Sequence, residues 1–429
     1  MIDYGKYKEI QVMLYGQKVG TLFDDGNIIT FYYSKSFKIK GIEISPIKLN
    51  TKRIISNYTN DDYPDIYNYL PGIIRDSLPD SNGKLVMDKY FTAQGLDPTR
   101  VSVLHRLAFI GNRAIGALEY VPSEHSDSSI KKETIQAREL YIQNRNIHDK
   151  EENLTINEII AHMIDSASAV GGAKEKMLIC FNPATKQLRF CNSSNESNKD
   201  GYEPYLMKFD SDKIYKEETI PEFVYMSLAK LCGIEVMDFE LLEDGDRKHY
   251  LTKRFDRKDN KKIHTATASA LLHKPHMRNG ITYEELTRLT YEITKSVNDV
   301  KKLLKQMIFN IVMAVTDDHA KNFSFLMNEN GKWKLSPAYD LVYGLGAGAL
   351  RHKTSLCGKN DKFICEDILR LSREYDIEEE EVLDMLFSVI TTFRENFKKI
   401  ADTSGMSSTK RDGIEMSIVD RINILIESL

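Results

Sequence analysis

The amino-acid sequence predicts an α+β protein with two lobes, an N-terminal β+α subdomain and a mostly helical C-terminal lobe. Three observations support this prediction. The first ~50 residues contain short runs rich in apolar and β-branched residues between turn residues, which is typical of strands. A second group of such runs surrounds a single helical pattern between residues 177 and 253. After residue 280 the apolar positions follow a mostly helical spacing.

The N-terminal subdomain is predicted over residues 1–121. Ile10–Leu14 and Val19–Phe23 flank a glycine-containing turn, and an Asp-Gly turn then leads into Ile28–Tyr33. These runs predict strands joined by hairpin turns. From about residue 61 to residue 120, short helical segments alternate with proline, glycine and asparagine.

The rest of the chain divides into three predicted regions. Residues 122–152 are polar and charged, which predicts a connector. Residues 153–257 form a mixed lobe that opens with a helix capped by Thr155 and Glu158. Residues 258–429 form the helical C-terminal lobe. The further predicted elements are the strands Met177–Phe181, Gln187–Cys191, Tyr205–Phe209 and His249–Lys253, the helix Pro221–Cys232, and a strand pair at Phe323–Met327 and Lys332–Leu335.

Composition excludes several classes of protein. Hydrophobic residues make up 41% of the 429 residues and charged residues 28%, which is typical of a globular chain and argues against disordered, collagen-like and coiled-coil proteins. Lysine and arginine total 59 against 63 acidic residues, so the net charge of −4 gives no support to DNA binding through overall charge.

Cysteine usage and the first residues bear on location. The five cysteines are scattered and contain no C-x-x-C motif, which predicts neither a disulfide framework nor a zinc site. The sequence has no run of about 18 apolar residues, and its first residues lack the basic and apolar regions of a signal peptide. These features predict a cytoplasmic protein with no membrane association.

Three polar residues carry the strongest chemical signal. Asp317 is followed five positions later by Asn322, and Asp340 lies 23 residues beyond Asp317, after a predicted strand–turn–strand. Protein kinases place a catalytic aspartate, a metal-binding asparagine and a second metal-binding aspartate in this order. Phosphoryl transfer needs one carboxylate to orient the hydroxyl and oxygen ligands for Mg²⁺, so the spacing predicts a protein-kinase-like site.

A kinase also needs a strand lysine for the phosphates and a helical glutamate that pairs with it. Lys208 lies inside an apolar strand and Glu222 opens the following helix. Taken alone, Lys208 could instead occupy a solvent-facing strand position, but its order before Glu222, the Asp-x₄-Asn pattern and the downstream aspartate favours the kinase role. Upstream, Gly171-Gly172 could bring backbone N–H groups close to phosphate, and a plain helix C-cap is an equal competitor.

At these residues the chain resembles HipA-type serine/threonine kinases, the toxin half of a bacterial type II toxin–antitoxin pair. The resemblance covers most of the chain. Its most specific motifs are Arg254-Phe255-Asp256-Arg257, Thr316-Asp317-x-His319-x-Lys321-Asn322 and Ser336-Pro337-x-Tyr339-Asp340.

The resemblance implies a role for each candidate residue. Asp317 would be the catalytic base, and Asn322 and Asp340 would bind Mg²⁺. His319 would contact phosphate, with a hydrogen-bonded structural histidine as the equal alternative. The remaining candidates would bind ATP, the adenine through the backbone around Lys253 to Phe255 and the phosphates through Lys208 and the glycine loop. This nucleotide-binding set comprises Gly171, Gly172, Ala173, Lys176, Lys208, Glu222, Lys253, Arg254, Phe255 and Tyr339.

The resemblance also implies partners and control. It implies a HipB-like helix-turn-helix antitoxin, contact with DNA only through that antitoxin, and a protein substrate such as an aminoacyl-tRNA synthetase. The family's autophosphorylated serine corresponds to Ala169, which has no hydroxyl, so Ser168 becomes the candidate for autophosphorylation. The segment Thr265–Ala270 also departs from the acidic, glutamine-containing pattern of the family, and this departure concerns substrate choice more than the chemistry.

Two other functions remain open from the sequence. Antibiotic and choline kinases share the Asp-x₄-Asn pattern and the downstream aspartate, so a small-molecule phosphotransferase is one alternative. A non-catalytic kinase fold that acts as a co-repressor is the other. Retention of Lys208, Asp317, Asn322 and Asp340 argues against the second alternative, since a scaffold needs none of them.

Overall fold

The computed structural model describes residues 6–52, 56–57, 70–79, 81–124, 134–149, 174–190, 200–211, 217–275, 280–344 and 351–429. Across these ranges no helix combines the length and the apolar character needed to cross a membrane. The predicted helix that begins near Thr155 lies outside the described residues.

Two five-stranded antiparallel sheets and one three-stranded sheet organise the described chain. The strand orders are β4-β3-β2-β1-β5, β7-β6-β8-β10-β9 and β13-β15-β16. The strands are β1 Glu9–Leu14, β2 Gln17–Asp24, β3 Ile29–Tyr33, β4 Ser56–Asn57, β5 Leu118–Val121, β6 Lys176–Asn182, β7 Gln187–Arg189, β8 Glu203–Lys208, β9 Phe239–Asp244, β10 Arg247–Lys253, β11 Arg257–Lys258, β12 Lys261–Lys262, β13 His264–Thr267, β14 Ile281–Thr282, β15 Ser324–Met327, β16 Trp333–Leu335 and β17 Thr354–Ser355.

Helices follow the first sheet, cover the second and make up most of the C-terminal lobe. This is the predicted α+β arrangement of two lobes with an N-terminal β+α part. The helices of the described ranges are α1 Lys35–Ile39, α2 Gly72–Arg75, α3 Ser81–Ala93, α4 Val103–Ile110, α5 Ala137–Asp149, α6 Ile220–Leu231, α7 Ala268–Leu272, α8 Tyr283–Thr294, α9 Val297–Val312, α10 Cys365–Arg373, α11 Glu379–Ser404 and α12 Ser408–Glu427.

The first sheet packs tightly at Gly20. Gly20 pairs with Val12 on β1 and lies beside β3. A Cβ atom at this position would lie 2.3 Å from the carbonyl oxygen of Tyr32, a distance that real Cβ atoms do not adopt. Gly20, inside the predicted strand Val19–Phe23, therefore allows two strands to approach closely.

The predicted connector 122–152 contains the helix α5. Its Leu140 and Tyr141 are buried, and the Arg247 guanidinium lies 4.6 Å from the Tyr141 ring centroid. The ring of His249 stacks on the same tyrosine at 5.8 Å. Burial lowers the pKa of His249 to about 4, so the ring is neutral near pH 7. Few residues of α5 are apolar, which is why the sequence pattern did not indicate this helix.

Cysteine pairing differs from the prediction at one position. Cys180 on β6 is disulfide-bonded, which the scattered spacing did not indicate. Cys232, Cys357 and Cys365 are free thiols.

An aspartate ties the N-terminal subdomain to the rest of the chain. Asp256 Oδ2 accepts a hydrogen bond of 2.7 Å from the backbone N–H of Gly116, just before β5. Arg254 and Arg257 each donate to the same oxygen at 2.7 Å, and Arg257 also donates to the Gly116 carbonyl at 2.9 Å. Burial would raise the pKa of Asp256, but the two arginines hold it well below its usual range.

We predict that Asp256→Asn destabilises the folded chain by about 3–5 kcal/mol, because two nearly buried arginines lose their counter-charge. Urea unfolding measures this loss. The folded-state pKa is depressed, so the carboxylate stabilises the chain above about pH 4 and this contribution is lost on further acidification. The difference in the free energy of unfolding between wild type and variant should therefore shrink as the pH falls below about 4. Asp384→Asn, at an exposed position of α11, is the matched control; an equal effect of both changes would contradict the prediction.

Candidate active site

A lysine joins two acidic residues from different elements at the centre of the site. Lys208, the last residue of β8, donates to both carboxylate oxygens of Glu222 at 2.6 and 2.8 Å. It also contacts Asp340 Oδ1 at 2.5 Å. Glu222 lies in the first turn of α6, and Asp340 follows β16. The structure thus brings together three of the predicted site residues.

The electrostatics favour the charged forms of Lys208 and Asp340. Burial would lower the pKa of Lys208, but Asp340 and Glu222 raise it above its usual range. Desolvation would raise the pKa of Asp340, but Lys208, Lys176 and Lys174 together lower it well below its usual range. Asp340 therefore remains a carboxylate throughout the neutral range.

Lysines from neighbouring strands add positive charge beside Asp340. Lys176 pairs with Lys208 across β6 and β8. Lys174, which the sequence analysis did not single out, precedes β6 and lowers the pKa of Asp340 as Lys176 does. Three lysines around one carboxylate form a place where anionic groups are favoured.

The catalytic-loop candidates lie together at the end of α9. Asn322 closes a short 3₁₀ helix, Ala320–Asn322, and its side-chain amide donates to the Asp317 carbonyl at 2.8 Å. Asp317 keeps 53% of its side chain exposed. His319 is partly buried; burial and Lys353 lower its pKa, while Asp317 opposes that shift. A half-exposed carboxylate thus lies beside an oriented amide.

Asp318 anchors this loop, although sequence reasoning did not single it out. Its buried carboxylate accepts hydrogen bonds from the Tyr283 hydroxyl at 2.7 Å, the Lys353 N–H at 2.8 Å and the Thr354 N–H at 3.1 Å. His352 Nδ1 lies 2.8 Å from the same carboxylate. The loop that presents Asp317 is therefore bonded to α8 and to the segment at β17.

The candidate adenine-binding residues have partners within the protein. The N–H of Lys253 donates to the Asp238 carbonyl at 2.8 Å, and the N–H of Arg254 donates to the Pro204 carbonyl at 3.0 Å. The Arg254 guanidinium is bonded to Asp256. The N–H groups of Lys253 and Arg254 are therefore used within the protein, so adenine would have to contact other backbone atoms of residues 253–255.

Tyr339 holds the catalytic loop through its hydroxyl. The oxygen lies 2.6 Å from Ser324 Oγ and donates to the Lys321 carbonyl at 2.5 Å. The Tyr339 ring lies 5.4 Å from the ring of Phe255, in a tilted arrangement. The hydroxyl of Tyr339 is thus used within the protein, and its ring packs against Phe255.

The N-terminal subdomain also reaches this loop. Asp76, just after α2, accepts hydrogen bonds from Thr267 N–H at 2.9 Å and Thr267 Oγ1 at 3.1 Å. Burial raises the pKa of Asp76, and Lys321 of the catalytic loop opposes that shift. Asp76 had no local sequence signal, because its partners lie far along the chain.

Four of the predicted residues lie outside the described ranges. These are Ser168, Gly171, Gly172 and Ala173. The predicted phosphate loop and the autophosphorylation position therefore remain predictions.

Asn322 and Asp340 offer oxygen atoms that suit a divalent cation. Asp340 offers a carboxylate, and the N–H of the Asn322 amide is used by the Asp317 carbonyl, which leaves the amide oxygen as its ligand atom. Carboxylate and amide oxygens suit Mg²⁺, which binds proteins through few side chains and completes its shell with phosphate and water. The described ranges contain no cluster of three or more His, Cys, Asp or Glu side chains able to hold a metal. The donor atoms of Asn322 and Asp340 are thus of the kind that Mg²⁺ on a nucleotide requires.

This fold and site define a kinase-like phosphotransferase of the two-lobed type. The chain matches the HipA-like C-terminal domain over residues 168–397 and the HipA N-terminal domain over residues 10–121. Because the first match covers more than half of the 429 residues, the chain belongs to the HipA family.

A curated relative and a solved structure are similar to it. The serine/threonine-protein kinase toxin HipA of Shewanella oneidensis is 24% identical over 348 residues, which is 76% of this chain and 72% of that protein. A HipA–HipB–operator DNA complex from Shewanella oneidensis contains a chain with a TM-score of 0.67 and 15% identity, covering 97% of this chain and 96% of that one. The latter likeness shows the shared fold.

We predict that Lys208→Met destabilises the chain by about 3–5 kcal/mol, because it leaves the Glu222 carboxylate buried without its cation. The double variant Lys208→Met/Glu222→Gln should lose less than the sum of the two single changes. Urea unfolding of the four proteins gives the coupling energy. Strictly additive losses would show that the pair is not coupled.

Proposed function

We propose that this protein is an ATP- and Mg²⁺-dependent serine/threonine protein kinase of the HipA toxin type. The observation that carries the proposal is the contact of Lys208 with both Glu222 and Asp340. In active kinases the strand lysine pairs with the helical glutamate while the downstream aspartate is in place to bind metal. Family membership supports the same reaction class.

Each of the site residues has a separate proposed role in phosphoryl transfer. Lys208, with Lys174 and Lys176 beside it, would hold the phosphates, while Asn322 and Asp340 would hold Mg²⁺, which neutralises charge on the phosphates when bound. Asp317 would orient the serine or threonine hydroxyl and accept its proton. The bond from the hydroxyl oxygen to the γ-phosphorus forms as the bond to the ADP oxygen breaks.

Family membership supports the proposed partner and the proposed class of substrate. The solved relative is described in a complex with HipB and operator DNA, which supports a HipB-like helix-turn-helix partner that provides the DNA contacts. The net charge of −4 agrees with indirect DNA contact. The proposed substrate is a cellular protein such as an aminoacyl-tRNA synthetase, and Ser168 remains the proposed autophosphorylation position.

A phosphotransfer assay tests the proposal. The purified chain is incubated with γ-labelled ATP and Mg²⁺ in the presence of a cell lysate and, separately, of aminoglycosides and choline. Label on protein serine or threonine supports the proposal. Label only on a small molecule would establish the small-molecule phosphotransferase instead, and ATP binding without transfer would establish a scaffold.

We predict that Asp317→Asn lowers the rate of phosphoryl transfer by on the order of 10²–10⁴-fold, because the amide cannot accept the hydroxyl proton. Affinity for ATP should stay close to wild type, since Asp317 does not hold the nucleotide. Initial rates and equilibrium ATP binding give the two values. Asp384→Asn provides the surface control. Near wild-type turnover of Asp317→Asn would remove Asp317 as the base.

We predict that Asp340→Asn loses the Mg²⁺-dependent part of ATP binding, because a neutral amide is a weaker Mg²⁺ ligand than a carboxylate. Asparagine is chosen because Asp340 has φ of +57°, which asparagine tolerates better than alanine does. Calorimetry with ATP, with and without Mg²⁺, measures the effect. Equal enhancement by Mg²⁺ in wild type and variant would contradict the assignment.

A further inference from the structure

A lysine that the sequence analysis did not single out, Lys353, lies at the candidate base Asp317. Lys353 Nζ forms an ion pair with Asp317 Oδ1, and the side chains are 36% and 53% exposed, respectively. Exposed ion pairs contribute little to stability, because both ions stay largely hydrated. The pair therefore has little value as a structural brace.

The backbone of Lys353 is held much more firmly than its side chain. Its N–H lies within hydrogen-bonding distance of the Thr316 carbonyl at 3.0 Å and of Asp318 Oδ1 at 2.8 Å. The neighbouring His352 and Thr354 are fully buried and also bonded to Asp318. Between these two anchored residues, Lys353 keeps part of its side chain exposed.

This anchoring fixes where the ammonium group can reach. The backbone N–H of Lys353 donates to the residues on both sides of Asp317, while a flexible four-carbon side chain carries the charge. The other lysine of the loop, Lys321, acts electrostatically on Asp76 of the N-terminal subdomain. Lys353 thus has a flexible, charged side chain on a backbone that is fixed beside the Asp317 carboxylate.

We propose that Lys353 is a catalytic residue that leaves Asp317 when substrates bind and stabilises the charge on the transferring γ-phosphoryl group. This inference rests on the proposed kinase function. The phosphoryl oxygens share negative charge in the transition state, and a preorganised cation beside them lowers the barrier. Lys353 gains and loses no proton: the hydroxyl proton still passes to Asp317 as the new oxygen–phosphorus bond forms and ADP leaves.

The inference predicts a particular split of kinetic constants. Lys353→Met should lower kcat on the order of 10²-fold, the usual effect of removing one charge-stabilising donor. The KM for ATP and the affinity for Mg²⁺-ATP should stay within about threefold, because Lys208 and Asp340 hold the nucleotide. Lys353→Arg should recover much of kcat, since a cation of similar reach is restored.

Steady-state kinetics, ATP binding and urea unfolding are measured for wild type, K353M, K353R and the control K398M, whose lysine is exposed on α11. The expected result is a kcat loss confined to K353M, with unfolding midpoints unchanged. If active wild type and K353M had equal rates, this inference would be wrong while the proposed function stood. A higher rate for K353M would likewise overturn it and would identify Lys353 as an inhibitory residue. A wild-type chain that binds Mg²⁺-ATP and transfers no phosphate would refute the proposed function and this inference with it.

Discussion

The ion pair between Lys208 and Glu222 sets the geometry on which the site depends. Both side chains are almost completely buried, so each charge would be costly without the other. The pair fixes α6 against the second sheet and at the same time leaves the ammonium group in contact with Asp340, which belongs to the C-terminal lobe. One lysine therefore determines both the position of a helix and the approach of the lobes.

Asp318 has the corresponding role on the other side of the site. Its carboxylate accepts hydrogen bonds from a helix side chain and from two consecutive backbone N–H groups at β17. A buried carboxylate with several donors is stable only in one arrangement, because each lost bond leaves a desolvated charge. The neighbouring Asp317 is thereby presented to solvent on a rigid support.

The N-terminal subdomain is part of the same framework. Asp256 is bonded to Gly116, and Asp76 to Thr267 close to the catalytic loop. Tyr15 adds a third link, because its hydroxyl donates to the Met327 carbonyl and accepts from the His264 N–H. A partner that binds the N-terminal sheet would contact a body that these polar groups join to Asp256, to strand β13 and to the end of β15.

Local patterns in the sequence determined much of the fold and part of the site. The hairpins of the first sheet, the helix α6 and the strand pair after Asn322 were predicted to within one or two residues, because alternation, capping and turn residues act over a few neighbours. The order of Asp317, Asn322 and Asp340 likewise indicated a phosphoryl-transfer site.

Only the tertiary structure decided the supporting groups. Asp318 and Lys353 are bonded across 35 residues, Asp76 and Thr267 across 191, and Gly116 and Asp256 across 140. Single acidic or basic residues have no periodicity, so a chain pattern cannot distinguish a buried anchor from a solvated surface charge. The helix α5 was not predicted for a related reason. It has few apolar residues, and Tyr141 among them is buried by contacts with Arg247 and His249, which lie far along the chain. Burial, which makes these interactions strong, is a property of the folded chain rather than of the local sequence.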